Sequence, residues 1–316
     1  MEQNAIEMKN VVKEFKVLNR HEGLKGSIRD LFSRDYKTIT AVDNISVNIK
    51  PGEIVGYLGP NGAGKSTTIK MMTGVLEPTR GEILVNGTVP YKNRTRNAEN
   101  IGVVFGQRSQ LWWSLPRIES FKLLKEIYMI PTADYDRMLE LYRELADIEQ
   151  LLHKPVRQMS LGQRTLSDIL AAFLHNPKIV FLDEPTIGLD VSMKAKIREL
   201  IKGLNKEKNT TVILTTHDMG DVDALCQRII IIDHGSMIYD NDIEHLKHYF
   251  GSYRTLKLNM IDSGWQEIIV DEAKTDVMSV IAEYQKKGGI KDIKLEDIST
   301  EEVIKKIYEQ AAQRSA

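Results

Sequence analysis

Gly59-Pro60-Asn61-Gly62-Ala63-Gly64-Lys65-Ser66 constrains this chain more than any other stretch, because it fits G-x-x-x-x-G-K-[ST] between two readable elements. Residues 53–58 ahead of it, after the Pro51-Gly52 turn, read as a strand, and residues 65–73 behind it read as a helix stopped near Gly74. The glycines let the backbone curl so that its N–H groups face one point. The helix N-terminus adds free donors and a positive dipole end. Such a turn is a cradle for phosphates, with Lys65 carrying a full positive charge to them and the Ser66 hydroxyl placed to ligate Mg²⁺.

A strand–loop–helix start predicts an α/β fold, and the rest of the chain keeps the alternation. Strand patterns fall at 6–15, 42–49, 81–87 (closing on the Asn86-Gly87 turn), 101–105, 179–182, 211–215 and 228–233. Helices are expected at 191–207 and 219–225. Helical periodicity dominates 118–152, and a further helix starts near Ser160 and ends before Asn176-Pro177. Strands alternating with helices imply right-handed crossovers, and the helical span reads as a subdomain, about 107–175, inserted into that core. After about Ser252 a small α/β unit begins, with strands near 255–259, 267–270 and 290–295 and helices near 276–286 and from Ser299. The expected division is therefore 1–250 and 251–316.

Residues 179–182 are continuously apolar, as a strand buried on both faces should be. They deliver Asp183 and Glu184 to a strand C-terminus, where open α/β sheets bind ligands. Asp183 there suits the Mg²⁺ shell. Glu184, one residue on, can orient a water and accept its proton. Without the loop, the pair would read as a solvated acidic turn. His217 follows another apolar strand and can hydrogen-bond a γ-phosphate and the water, or serve structure alone.

Composition removes some alternatives. The 316 residues carry 43 basic and 44 acidic side chains, net −1, which argues against a general nucleic-acid binder. The single cysteine, Cys226, cannot form an internal disulfide and fits a reducing compartment. The first ten residues lack the apolar core of a signal peptide, and no run approaches the roughly 18–20 apolar residues that span a bilayer. A membrane role would need another chain to supply the membrane part.

In this order the motifs resemble the nucleotide-binding domain of ABC transporters, across about residues 6–240. The loop through Thr67 resembles Walker A, and 179–184 resembles Walker B with its catalytic glutamate. Gln107 resembles the Q-loop glutamine that touches Mg²⁺ and water, Ile187-Gly188-Leu189-Asp190 the D-loop, and His217 the switch histidine. Met159-Ser160-Leu161-Gly162-Gln163 stands at the signature position, with Leu161 where the family usually has glycine. The resemblance implies a P-loop NTPase of ABC type: a mixed-sheet core, an inserted helical subdomain and a small C-terminal α/β appendix. It implies ATP and Mg²⁺ as cofactors and a head-to-tail homodimer or heterodimer, each ATP lying between one loop and the partner's signature. Ser160 with Gln163 also reads as a capping box, whose helix N-terminus, with Gly162, can aim N–H groups at a γ-phosphate.

Tyr36 is the preferred residue to stack on adenine, with Phe15 the alternative. Leu24, Ile28, Leu31 and Phe32, one face of a helix in the basic insertion 16–37, fit either lipid or membrane-subunit docking or packing on the core. Trp112 and Trp113 fit either the groove that receives a membrane subunit's coupling helix or the core. The motif wording resembles bacterial type-2 exporter ATPases. It implies a cytoplasmic subunit on the inner face of the membrane, partnered by permease chains and not by nucleic acid. The alternatives are a non-transport ABC ATPase acting on ribosomes or nucleic acid, and an ATP-sensing regulator.

Overall fold

A computed structural model describes residues 3–18, 36–106, 109–249, 251 and 253–315. These residues form two compact units, 1–240 and 241–316.

The first unit is built on two sheets. β1 (Ile6–Leu18), β2 (Tyr36–Ile49) and β4 (Arg80–Val85) form an antiparallel sheet in the order β2-β1-β4. β3 (Ile54–Leu58), β5 (Ile101–Phe105), β6 (Ile179–Asp183), β7 (Thr211–Thr215), β8 (Arg228–Asp233) and β9 (Ser236–Asp242) form the other, in the order β5-β6-β7-β3-β8-β9. The pairs from β5 to β8 are parallel. Every residue of β3 and β7 is buried, as continuous apolar runs between two layers require. β9 turns back from β8 through His234-Gly235, both at positive φ, the backbone of a two-residue hairpin.

α1 (Lys65–Met72) follows β3, and its Ile69, Met71 and Met72 join side chains of both sheets in one core. The start of α1 is thereby fixed at the C-terminal ends of the parallel strands. α2 (Arg94–Ala98) is a single turn ahead of β5.

The helical region between β5 and β6 holds α3 (Arg117–Ile127), α4 (Thr132–Leu145), α5 (Glu149–Leu152) and α6 (Leu161–Phe173). The expected 118–152 helical stretch is broken twice. Met129 at φ 51 leads into Pro131 at the N-cap of α4, and Ala146 ends α4 in extended conformation. Tyr142 donates to the Leu170 carbonyl at 2.6 Å and meets Phe121 edge-on, which ties α4 to α6 and α3. α7 (Val191–Lys208) and α8 (Met219–Leu225) complete the unit.

Two strands run beyond their expected ends. β1 continues to Leu18 and β2 begins at Tyr36, because Phe15 pairs with Ile39 and Leu18 with Tyr36. That pairing is a cross-strand property that residues 36–41 do not announce alone. β9 and α2 lay outside the expected elements. Leu24, Ile28, Leu31 and Phe32 of the insertion lie outside the described residues.

The second unit contains α9 (Ile243–Tyr249), a sheet in the order β11 (Gly264–Asp271), β10 (Tyr253–Met260), β12 (Ile290–Asp297), then α10 (Val277–Gly288) and α11 (Thr300–Ser315). Val277, Val280, Ile281 and Tyr284 of α10 cover Leu256, Leu258 and Met260 on one face of this sheet.

Candidate nucleotide site

The loop between β3 and α1 owes its path to its glycines. Gly64 sits at φ 106, and a Cβ there would lie 2.3 Å from the Ala41 carbonyl oxygen. Gly62, at φ 84, has nothing within 4 Å of the same position and is free for the backbone reason alone. The Gly64 carbonyl accepts from the Thr68 amide at 2.9 Å, the first turn of α1. The N–H groups ahead of that turn are unpaired helix donors, and no acidic side chain sits there to neutralise them.

Lys65 is the first residue of α1, and only 8% of it is exposed. Its Nζ donates to the carbonyls of Gly59 at 2.6 Å and Pro60 at 3.1 Å, arching back over the loop. Burial lowers its pKa, while the charges of Glu184 and Asp183 act the other way. That mutual influence places the cation and both carboxylates within electrostatic reach.

β6 ends on Asp183, whose Oδ1 accepts from the Thr215 hydroxyl at 2.5 Å. Glu184 follows at φ 52, a strained turn for a non-glycine residue. Its amide donates to the Thr215 carbonyl at 2.9 Å, which holds the turn, and its Oε1 lies 3.0 Å from His217 Nε2. The loop carrying His217 is braced from below. Asp218 accepts from Lys194 at 2.5 Å, and buried Asp221 accepts from Arg198 at 2.7 Å and Thr216 at 2.9 Å, with Thr186 also bonded to it.

The glycine-rich loop and the two carboxylates wall one cleft of about 460 Å³, and His217 reaches it only through Glu184. Pro60, Asn61, Gly62, Gly64, Lys65, Ser66 and Thr67 line one side, Asp183, Glu184, Gly106 and Ile187 the other, and Ala41 closes an end. Gly59 and Ala63 shape the turn from behind: a Cβ on Gly59 would meet the Ile232 carbonyl at 2.6 Å, and Ala63 is buried. The cleft combines curled amides, a helix N-terminus and a buried ammonium on one side with two carboxylates on the other. That donor set fits a polyphosphate. Among the described residues no three His, Cys, Asp or Glu side chains form a metal cage. A hard cation held by Ser66 and Asp183 would take its remaining oxygen ligands from phosphate and water.

Other expected site residues stand apart from this cleft. Ser160 caps α6 with both bonds of the capping box: its hydroxyl accepts from the Gln163 amide at 3.3 Å, and its own amide donates to Gln163 Oε1 at 3.1 Å. At Gly162 a Cβ would sit 2.4 Å from Met193 Cγ, so a larger residue there would have to displace the Met193 side chain. Asp190 caps α7 by accepting from the Met193 amide at 2.9 Å. Tyr36 is 54% exposed and Phe15 36%, and neither lines the cleft. Gln107 lies outside the described residues. Trp112 and Trp113 are 40% and 53% exposed, so neither is a core residue. Trp113, Leu161, Arg164 and Ser109 line a second groove of about 380 Å³ that shares Gly106, Glu184 and Ile187 with the first.

Sequence reasoning missed Thr215 and Ala41. The Thr215-Thr216-His217-Asp218 run at the end of an apolar strand was the available signal for Thr215. Ala41 carries none, since it acts through its carbonyl.

A family model described as ABC transporter matches residues 42–187, from β2 through the acidic pair. The chain is 33% identical over 230 residues to the ABC transporter ATP-binding protein NatA of Bacillus subtilis, covering 73% of this chain and 92% of that protein. The chain belongs to the ABC transporter family. This ABC chain is also 32% identical over 225 residues to the bacitracin transport ATP-binding protein BcrA of Bacillus licheniformis, covering 71% and 72% of the two. It spans only 26% of ABC transporter A family member 1 of Dictyostelium discoideum, at 34% identity over 72% of its own length. Among solved structures it resembles the dimeric ATP-binding cassette MJ0796 in a post-hydrolysis state bound to ADP and Pi. The TM-score is 0.60 at 28% identity, over 75% of this chain and 98% of that one. The chain is thus an ATP-binding subunit of that family, with the ATPase activity the family carries.

Proposed function

We propose that this chain hydrolyses MgATP as one half of a head-to-tail ABC dimer, on the cytoplasmic face of a membrane, to drive export by separate permease chains. The observation that carries the reading is that the phosphate loop and the two carboxylates wall a single cleft. Lys65 and the loop amides bind the phosphates, and Ser66, Asp183 and Gln107 hold Mg²⁺. When bound, Mg²⁺ supplies positive charge that offsets the phosphate oxygens. Glu184 takes the proton of the attacking water, and His217, bonded to it, steadies the γ-phosphate side.

Ser160, Gly162 and Gln163 lie outside the chain's own cleft, at the capped N-terminus of α6. That placement supports their facing a partner's nucleotide, with Asp190 near the junction. The solved cassette MJ0796 is dimeric, which supports a dimer here. Among the described residues no helix is long and apolar enough to cross a membrane. The exposed Trp112 and Trp113 beside the second groove fit the receiving surface for such a permease. The exporter direction rests on the motif wording, and the likeness to BcrA, a bacitracin transport ATP-binding protein, supports transport. Tyr36 remains our choice for adenine contact. We assign the ATPase domain to the first unit and the C-terminal α/β extension to the second.

The test is turnover and mass in purified protein. Lys65→Ala should abolish nucleotide binding. Glu184→Gln should keep binding, lower turnover by about 10²–10⁴, and accumulate a dimer with ATP by light scattering. A Glu184→Gln chain that turns over ATP like its parent would refute the assignment of the general base.

A further inference from the structure

Asp221 stands in the first turn of α8 and is wholly buried. A carboxylate removed from water needs a paired cation and filled lone pairs. Arg198 of α7 supplies the charge, its Nε donating to Asp221 Oδ1 at 2.7 Å. The other oxygen serves a different purpose. Asp221 Oδ2 accepts from the Thr216 hydroxyl at 2.9 Å and also from the Thr186 hydroxyl, and both threonines are buried.

Thr186 follows Glu184 by two residues, and Thr216 directly precedes His217. β6 and β7 run parallel, and their register ends at Asp183 opposite Thr215. One more backbone bond follows, from the Glu184 amide to the Thr215 carbonyl at 2.9 Å. Beyond it the two chains leave the ladder and are bridged through side chains. Glu184 Oε1 lies 3.0 Å from His217 Nε2, and Thr186 meets Thr216 through the one oxygen of Asp221. Each turn is stiff on its own side. The Ile187 amide donates to the Glu184 carbonyl at 3.3 Å, and the Asp218 amide donates to the Thr216 hydroxyl at 2.9 Å. Holding α8 to α7 does not require this bridge, because Asp218 already takes Lys194 at 2.5 Å and Arg198 at 3.3 Å. Oδ2 is spent on the two residues that flank the base and the histidine.

We propose that Asp221 is a positioning residue for hydrolysis: it ties the turn after Glu184 to the loop before His217 and so sets the histidine against the base. Thr215 fixes Glu184 from the strand end, and Asp221 fixes where His217 stands relative to it. The proposal rests on the reading that Glu184 and His217 act on ATP.

Steady-state kcat and KM for MgATP, with amide hydrogen exchange of the same proteins, test it. The variants are Asp221→Asn, the valine and serine substitutions of Thr186 and Thr216, and Asp221→Asn combined with His217→Ala. Asparagine keeps the size but has one acceptor oxygen, so it cannot serve Arg198 and both threonines at once. Asp221→Asn should lower kcat about tenfold or more with KM within about twofold. Thr186→Val and Thr216→Val keep the shape and lose the hydroxyl, and each should lower kcat about threefold to tenfold. Thr186→Ser and Thr216→Ser keep the hydroxyl and should stay within about twofold of the parent. Added to His217→Ala, Asp221→Asn should cost no more than about a further twofold, because the group it positions is gone. An unchanged kcat in Asp221→Asn overturns the proposal, as do losses that multiply in the pair. Asp221→Asn should also speed exchange of the Ile187 and Asp218 amides together, by about tenfold, and a change confined to one of the two turns breaks the tether. Should Asp221→Asn fail to fold, valine variants as active as the serine ones overturn it instead. A parent that turns over no ATP counts against the roles of Glu184 and His217, and the exchange result still decides the tether.

Discussion

Thr215 touches both carboxylate residues of the cleft, donating to Asp183 Oδ1 and accepting from the Glu184 amide at 3.2 Å. One buried hydroxyl therefore sets the direction of the first carboxylate and holds the φ 52 turn that presents the second. Thr215→Val keeps the volume and removes the bond, so kcat should fall by about 10–10² while the fold survives. Steady-state kinetics beside a melting curve would show it, and an unchanged kcat would remove Thr215 from the site. His175 gives a second prediction at this scale. It stacks on Tyr128 at 3.9 Å, Nε2 meets the Ile101 carbonyl at 3.0 Å, and burial lowers its pKa to about 4. The folded chain then binds fewer protons than the unfolded one between about pH 4 and 6.5. Its contribution is present above about pH 6.5 and is lost as pH falls toward 4. Asp168, raised to about 6, works with the opposite sign between its ordinary value near 3.8 and that pH. His175→Gln should therefore flatten the loss of stability on acidification from pH 7 to 5, read from denaturant midpoints.

At the scale of elements, α6 carries two roles that substitution separates. Ser160→Ala removes a cap and should cost about 1 kcal/mol, seen as a modest drop in melting temperature. If Ser160 also meets a partner's nucleotide, turnover will fall much further than that loss of stability explains. Gly162→Ala is different, because its new methyl meets Met193 within the same chain. Pairing it with Met193→Ala should restore part of the stability, and no recovery would show that the backbone, not the contact, demands glycine. Leu161, where the family usually has glycine, lines the second groove beside Trp113 and Arg164. The capping box is made by Ser160 and Gln163 alone, so Leu161 leaves it intact.

For the whole molecule, the two units each hold a core: one joins the two sheets around α1, the other lies between α10 and its sheet. Only the first contains the nucleotide cleft. MgATP should raise its unfolding transition by about 2.7 kcal/mol at a hundredfold excess over Kd, and Lys65→Ala should abolish that shift. Calorimetry with and without nucleotide reads both, and an equal shift in the variant would detach Lys65 from binding.

The α/β class, the loop, the acidic pair and the capped helix at 161–173 could be read from the amino-acid order alone, because each is written in neighbours along the chain. Glycine at Gly62 and Gly64, a carboxylate pair behind an apolar run, and Ser160 three residues from Gln163 are local patterns with local causes. The ends of β1 and β2, the Ala41 carbonyl beneath Gly64 and the Thr215 hydroxyl between two carboxylates belonged to the tertiary structure. They join residues tens of positions apart. Such contacts exist only once the sheets and helices have packed, so no window of sequence contains them.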